Sequence, residues 1–97
     1  MDFIYFDDEQ PLHHPLFGKK LVFTGALATM TRSEAARRVR QYGAILQGTV
    51  SNDTDFVILG NKRRGVSTKQ RQAERLIALG GNIQILCEDD FLWLLAQ

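Results

Sequence analysis

Two basic side chains occupy positions where a positive charge is unfavourable unless a negative group binds beside it. Arg32 and Lys69 each fall in the first turn of a predicted helix, and that end of a helix carries partial positive charge. Thr24 and Gly25 follow a short apolar run that predicts a buried strand, which places a hydroxyl and a backbone N–H at the strand's carboxyl end. Cations, hydroxyls and N–H groups are the donors that bind phosphate and similar anions. The spacing predicts an anion site at Thr24, Gly25, Arg32 and Lys69.

Other chemistry has weaker support in the residue types. Segment 60–67 resembles the phosphate-binding loop G-x-x-x-x-G-K-[ST], but Val66 stands where that loop needs its lysine. His13 and His14 are adjacent, so their side chains diverge in an extended chain and no metal site is expected. The lone Cys87 has no histidine nearby and is predicted to be a small, buried thiol. We expect no catalytic residue, no metal and no cofactor.

The formal net charge of +1 is an average over three unlike segments. Residues 1–18 carry four acids and no base, residues 19–81 carry all twelve bases and four acids, and residues 82–97 carry three acids. The central segment therefore has a formal charge of +8, which favours binding to the phosphate backbone of nucleic acid. The basic block Arg37 to Arg40 is interpreted more simply, as the solvated exterior of a helix.

Several classes of protein are excluded or disfavoured by composition. No apolar run approaches the ~18 residues that span a bilayer, so no membrane association is expected. The acidic first residues are unlike the basic start of a signal peptide. A single cysteine cannot form an internal disulfide, which favours a reducing compartment. We expect a cytoplasmic, nucleoid-associated protein.

Strand and helix patterns alternate along residues 16–97, whereas residues 1–15 are interpreted as an N-terminal extension. Apolar runs predict strands at 21–23, 44–46, 56–59 and 83–86. Helices are predicted to begin at Thr31, at Ser67 and at Cys87 or Glu88. Thr31 and Glu34 have the spacing of a reciprocal capping box. The order βαββαβα predicts a small, mostly parallel α/β sheet with helices on both faces.

Residues 16–95 resemble a BRCT domain, most closely the bacterial type of NAD-dependent DNA ligases and proofreading-exonuclease-like proteins. The match depends on the order and spacing of several short motifs: GKKLVFTG at 18–25, MTRSEA at 30–35, YGA at 42–44, VS at 50–51, TDFVI at 54–58, STK at 67–69, LG at 79–80 and EDDFL at 88–92. The resemblance implies a three-layer α/β fold. Its parallel sheet would have four strands in the order 2-1-3-4, with two helices on one face and one on the other.

The resemblance also implies a ligand. In phosphate-binding members, a Ser/Thr-Gly pair and an S/T-x-K pattern hold the phosphoryl oxygens, and Thr24, Gly25, Ser67 and Lys69 match them. In DNA-binding relatives such as the large subunit of replication factor C, an arginine early in the first helix joins them against a 5′-phosphate, and Arg32 matches it. Further contacts to the DNA backbone are expected from the remaining basic residues near this end: Lys62, Arg63, Arg64 and Arg71.

The expected function is therefore a non-catalytic, monomeric module that binds DNA ends through a 5′-phosphate in bacterial DNA replication or repair. The parent protein would be ligase-like or exonuclease-like. The alternative is a phosphopeptide-binding or protein-interaction module in a DNA-repair complex. Phe91 matches the tryptophan that many members carry in the last helix, so Trp93 is predicted to face outward. Trp93 would then contact a partner protein or be covered by the apolar residues 3–6.

Overall fold

A computed structural model describes residues 14–60 and 67–97. The elements along the chain are β1 (Lys20–Thr24), α1 (Arg32–Gln41), β2 (Ile45–Leu46), β3 (Phe56–Leu59), α2 (Thr68–Ala78), β4 (Gln84–Cys87) and α3 (Glu88–Leu95). The strands form one sheet in the order β2-β1-β3-β4, and each neighbouring pair is parallel. The predicted α/β fold class and the strand order are confirmed.

The sheet separates two apolar cores because successive side chains of a strand point to opposite faces. On one face, Phe23 and Ile58 pack with residues of α1 and α3, including Ala35 and Phe91. On the other face, Val22 and Val57 pack with Ala73 of α2. Two helices therefore cover one face and one helix covers the other, as predicted.

Hydroxyl groups cap the first two helices. The Thr31 side chain accepts a hydrogen bond from the Glu34 N–H at 3.1 Å, and Ser67 accepts one from the Gln70 N–H at 3.0 Å. The other hydrogen bond of the predicted capping box, from the Thr31 N–H to the Glu34 side chain, does not form, so this part of the prediction is wrong. The Glu34 carboxylate instead accepts hydrogen bonds from Arg37 and Arg38, whose guanidinium groups lie one turn along the same helix.

His14, just before the predicted domain boundary at residue 16, lies against the far end of the last helix. Its ring stacks on Tyr42 with centroids 3.8 Å apart. Its Nδ1 accepts a hydrogen bond from the Leu16 N–H at 3.1 Å, and its Nε2 lies 3.4 Å from the Leu95 carbonyl oxygen. These contacts connect the segment before β1 to the end of α3. The boundary itself stays a prediction.

Candidate functional site

The carboxyl end of β1 lies at the centre of the sheet. β1 pairs with β2 on one side and with β3 on the other, and the chain leaves β1 and β3 toward opposite faces. The helices that follow these two strands, α1 and α2, therefore lie on opposite faces of the sheet, and parallel α/β sheets bind ligands at the strand ends where the chain changes face in this way. Thr24 and Gly25 lie at this point, and Ser67 begins the helix that follows β3.

Two hydroxyl groups meet across this opening. The Thr24 hydroxyl donates to Ser67 Oγ at 2.6 Å, although the two residues are 43 positions apart in the chain. Ser67 Oγ also accepts the Gln70 N–H, so both of its lone pairs are engaged. Thr24 is buried, with 3% of its surface exposed, whereas Ser67 is partly exposed. The hydroxyl proton of Ser67 is thus the neutral donor that remains available to an incoming anion.

Both predicted cations are held against the end of β1. Lys69 Nζ donates to the Phe23 carbonyl at 3.2 Å, and Arg32 Nη2 donates to the Gly25 carbonyl at 3.0 Å. The Arg32 guanidinium also lies over the Phe23 ring, 5.4 Å from its centroid, in a cation–π contact. The Phe23 ring in turn packs edge-on against Phe91, at 5.3 Å between centroids. The core therefore fixes the aromatic surface that positions Arg32.

No carboxylate among residues 14–60 and 67–97 forms an ion pair with Lys69 or Arg32. Their only polar contacts in this part of the chain are to backbone carbonyls, which leave most of their N–H donors unused. Two cations beside three consecutive residues, neither of them paired with a described carboxylate, create a local positive potential. That potential favours an anion at the end of β1.

Glycines let two backbone segments approach closely beside this site. Gly25 has φ +83°, in the left-handed region that favours glycine. The Gly60 N–H donates to the Thr24 carbonyl at 2.7 Å, and a Cβ on Gly60 would lie only 2.4 Å from the Ala26 carbonyl oxygen. Gly60 is therefore required by this backbone contact. Packing thus explains the glycine that begins segment 60–67, whose sequence resembles a phosphate-binding loop, without a bound nucleotide.

Glu88 is the site residue that sequence reasoning missed. It begins α3 beside two further acids, but its side chain is buried, with 1% of the residue exposed. Its carboxylate accepts the N–H of Ala28 at 2.8 Å, the N–H of Thr29 at 2.9 Å and the Thr29 hydroxyl at 2.6 Å. Glu88 thereby fixes the loop at 25–31 that connects β1 to Arg32. No local pattern distinguishes it from Asp89 and Asp90, because only the tertiary fold brings it to that loop.

The loop at 25–31 and the start of α1 line a surface depression of about 580 Å³. Its lining includes Gly25 and Arg32, so the depression lies beside one of the two cations described above. Within the described residues, no cluster of His, Cys, Asp and Glu could hold a metal ion, and no helix is long and apolar enough to cross a membrane. The donors present are suited to an anionic ligand.

The remaining predicted residues are distributed over other parts of the molecule. Arg71 is exposed on α2, in the turn after Ser67. Trp93 faces outward on α3, as predicted, with 64% of its surface exposed. The prediction of a buried Cys87 is wrong, because this residue ends the sheet's edge strand β4 and is exposed. Four other predictions fall outside the described residues: Lys62, Arg63, Arg64 and the cover that residues 3–6 would give to Trp93.

Known proteins resemble this chain along most of its length. Residues 11–92 match the model of the BRCA1 C Terminus (BRCT) domain family. A DNA ligase of Bradyrhizobium sp. is 38% identical over 92 residues, which cover 94% of this chain and 12% of the ligase. A DNA ligase of Ehrlichia ruminantium is 42% identical over 79 residues, covering 81% of this chain and 10% of the ligase. The chain thus spans about a tenth of the length of these relatives.

Among solved structures, the C-terminal BRCT domain of human XRCC1 superposes with a TM-score of 0.57. The match covers 76% of this chain and 71% of that domain, at 16% sequence identity. At this identity the likeness concerns the fold, and it agrees with the parallel sheet and the placement of the three helices.

Proposed function

Because this chain belongs to the BRCT family, we propose that it is a non-catalytic module that binds the 5′-phosphate at a DNA end. It would act as an accessory domain in bacterial DNA replication or repair, in the cytoplasm and associated with the nucleoid. We further propose that it binds DNA as a monomer.

The observation that carries this proposal is the pair of cations at the carboxyl end of β1. Lys69 and Arg32 both reach the backbone of residues 23–25, and no described carboxylate is paired with either of them. A terminal phosphate monoester carries about −1.5 to −2 charges at neutral pH, against −1 for a phosphodiester within the strand. Two cations held against the end of the same strand therefore favour the end of a DNA strand over its interior.

The groups around the cations suit a phosphoryl group in shape as well as charge. The Ser67 hydroxyl and the Gly25 N–H would bind as short neutral donors, Lys69 as a compact charge and Arg32 as a planar fork. Because phosphate contacts position a protein without distinguishing bases, we expect binding without sequence preference.

The relatives support this assignment. Two of them are bacterial enzymes described as DNA ligases, which by that name act where DNA strands have ends. This chain corresponds to about a tenth of each, so it would serve such a parent protein by holding the end of the DNA rather than by joining it. No group in the proposed site has the arrangement of a nucleophile with its base.

One observation favours a second candidate function, the binding of a protein partner. Trp93 is 64% exposed on α3, and tryptophan is enriched at protein interfaces. Under this alternative, replacing Trp93 with alanine would abolish partner binding and leave the affinity for DNA unchanged.

The proposed function predicts that the chain distinguishes two duplexes that differ only in a 5′-phosphate. Titrated by fluorescence anisotropy, a 5′-phosphorylated duplex should bind at least about tenfold more tightly than its 5′-hydroxyl twin, since one charged hydrogen bond stabilises by about 1.5–3 kcal/mol. Raising the salt concentration should weaken both complexes, because counterions compete for the phosphates. Equal affinity for the two duplexes would overturn the proposal.

A further inference from the structure

The arginines on the outer surface of α1 fall into two groups. Arg37 Nη2 lies 2.7 Å and Arg38 Nε lies 3.2 Å from the same Glu34 oxygen. The hydrogen bonds from Arg37, and then those from Arg38, hold the pKa of the Glu34 carboxyl below its usual range. Glu34 therefore stays ionised near neutral pH and offsets part of the charge on this side of the helix.

Arg32 and Arg40 are on a different side of the helix. They lie at positions i and i+8 with Ala36 between them at i+4, so the three residues share one face. Neither arginine has an ion pair with a carboxylate of the described chain. The small Ala36 side chain leaves space between the two guanidinium groups. The result is a stripe of charge that no carboxylate among residues 14–60 and 67–97 pairs with.

A groove runs along this stripe, between α1 and β2. Its volume is about 390 Å³, and its lining includes Arg32, Ser33, Ala36, Arg40 and Gln47. Arg32 also lines the depression beside the end of β1, so the groove and the proposed phosphate site share this residue. The Ser33 hydroxyl is exposed and makes no hydrogen bond to any described residue, which leaves it available as a donor.

We propose that this groove is a second phosphate subsite, which binds a backbone phosphodiester of the same DNA duplex through Arg40 and Ser33. The inference rests on the proposed function, since it extends the footprint of the bound DNA away from its 5′ end. Arg32 and Arg40 are eight residues apart, which corresponds to about 12 Å along the helix axis. The bound strand would then continue from its 5′ end along α1, with the second phosphate among the next few of that strand.

The groove fits a phosphodiester better than it fits an acidic peptide or a terminal phosphate. Its guanidinium group from Arg40 suits a single negative charge, and Ala36 and Leu46 give it an apolar lining against which a sugar can pack. The Gln47 amide already forms hydrogen bonds with Thr54 and Asp53, so it lines the groove without donating to the phosphate. DNA binding therefore uses the uncompensated side of α1.

Two single substitutions on the same helix test the inference. Arg40→Ala and Arg38→Ala remove the same charge from exposed positions of α1, and alanine is favourable in a helix, so both variants should fold. The affinity of each for the 5′-phosphorylated and 5′-hydroxyl duplexes is measured between about 50 and 200 mM salt. We expect Arg40→Ala to reduce the slope of log K against log salt by about one, and equally for both duplexes. Arg38→Ala should leave that slope nearly unchanged.

The outcomes separate this inference from the function on which it rests. A slope that changes equally in the two variants, or in neither, would overturn the second subsite even if the 5′-phosphate is still recognised. If the wild-type chain binds the two duplexes equally well, but Arg40→Ala alone changes the salt slope, end recognition is overturned and the groove remains a contact to the DNA backbone. Absence of any DNA binding by the wild-type chain would overturn both.

Discussion

Replacing Glu88 with glutamine is expected to lower the free energy of unfolding by about 2 kcal/mol, the largest stability change of any charge-removing substitution in α3. The carboxylate accepts two backbone N–H groups and a hydroxyl while almost fully buried. A glutamine amide keeps one acceptor oxygen but turns an NH₂ group toward donors, which leaves the N–H of Ala28 or of Thr29 without its acceptor. For a chain of this size, the loss corresponds to a decrease in Tm of roughly 10 °C.

Asp89→Asn is the matched control for Glu88→Gln. It removes the same charge from the next residue of the same helix, but Asp89 is exposed and only favours the helix dipole. Its expected cost is about 0.3–1 kcal/mol. Chemical denaturation of the two variants compares these values directly. If Glu88→Gln is no more destabilising than Asp89→Asn, then the buried carboxylate does not hold the loop at 25–31.

Replacing Lys69 with methionine is expected to weaken binding to a 5′-phosphorylated duplex by about tenfold to a hundredfold, and to leave binding to the 5′-hydroxyl duplex nearly unchanged. Methionine keeps most of the apolar stem and removes the ammonium group that reaches the Phe23 carbonyl. Stability should change little, because a cation in the first turn of α2 is disfavoured by the helix dipole and its removal offsets the lost hydrogen bond. Fluorescence anisotropy and thermal melting measure the two effects separately.

Arg75→Met provides the control for this substitution. Arg75 lies in the last turn of α2, so the variant has the same net charge as Lys69→Met but keeps the proposed site intact. We expect it to reduce the affinity for both duplexes slightly and by the same factor. Equal effects of Lys69→Met on the phosphorylated and unphosphorylated duplexes, as for Arg75→Met, would mean that Lys69 contributes only to the overall charge.

The features predicted well from sequence are those that local chemistry decides. Thr31 and Ser67 were identified as caps because a hydroxyl three residues before a free N–H satisfies it within one turn. The four strands followed from short apolar runs. Their order was implied by the family resemblance, since period and propensity alone do not specify which strands pair.

The features that sequence missed depend on contacts between distant residues. Glu88 and Asp89 are adjacent acids, yet only the first is buried against the loop at 25–31. Arg38 and Arg40 are both exposed on one helix, yet only Arg38 is paired with Glu34. In each pair the residue types predict the same role for both members, and only the tertiary fold gives them different contacts.

The sequence predicts the residues of the proposed site, but it does not predict the hydrogen bonds among them. Thr24 was expected to donate its hydroxyl proton to the ligand, but in the structure it donates that proton to Ser67. Ser67 Oγ also accepts the Gln70 N–H, so both of its lone pairs are engaged. Pairing across 43 positions of sequence is not predictable from spacing, so the division of donors between the two hydroxyls required the fold.

The location of the bound phosphate is the central claim, and backbone amide chemical shifts test it most directly. ¹⁵N-labelled protein is titrated in parallel with the 5′-phosphorylated duplex and with its 5′-hydroxyl twin, and the two sets of shifts are compared residue by residue. We expect the two titrations to differ most at Gly25, Ser67 and Lys69, at the carboxyl end of β1 and the start of α2. Identical shifts in the two titrations, or differences confined to α3 around Trp93, would contradict it.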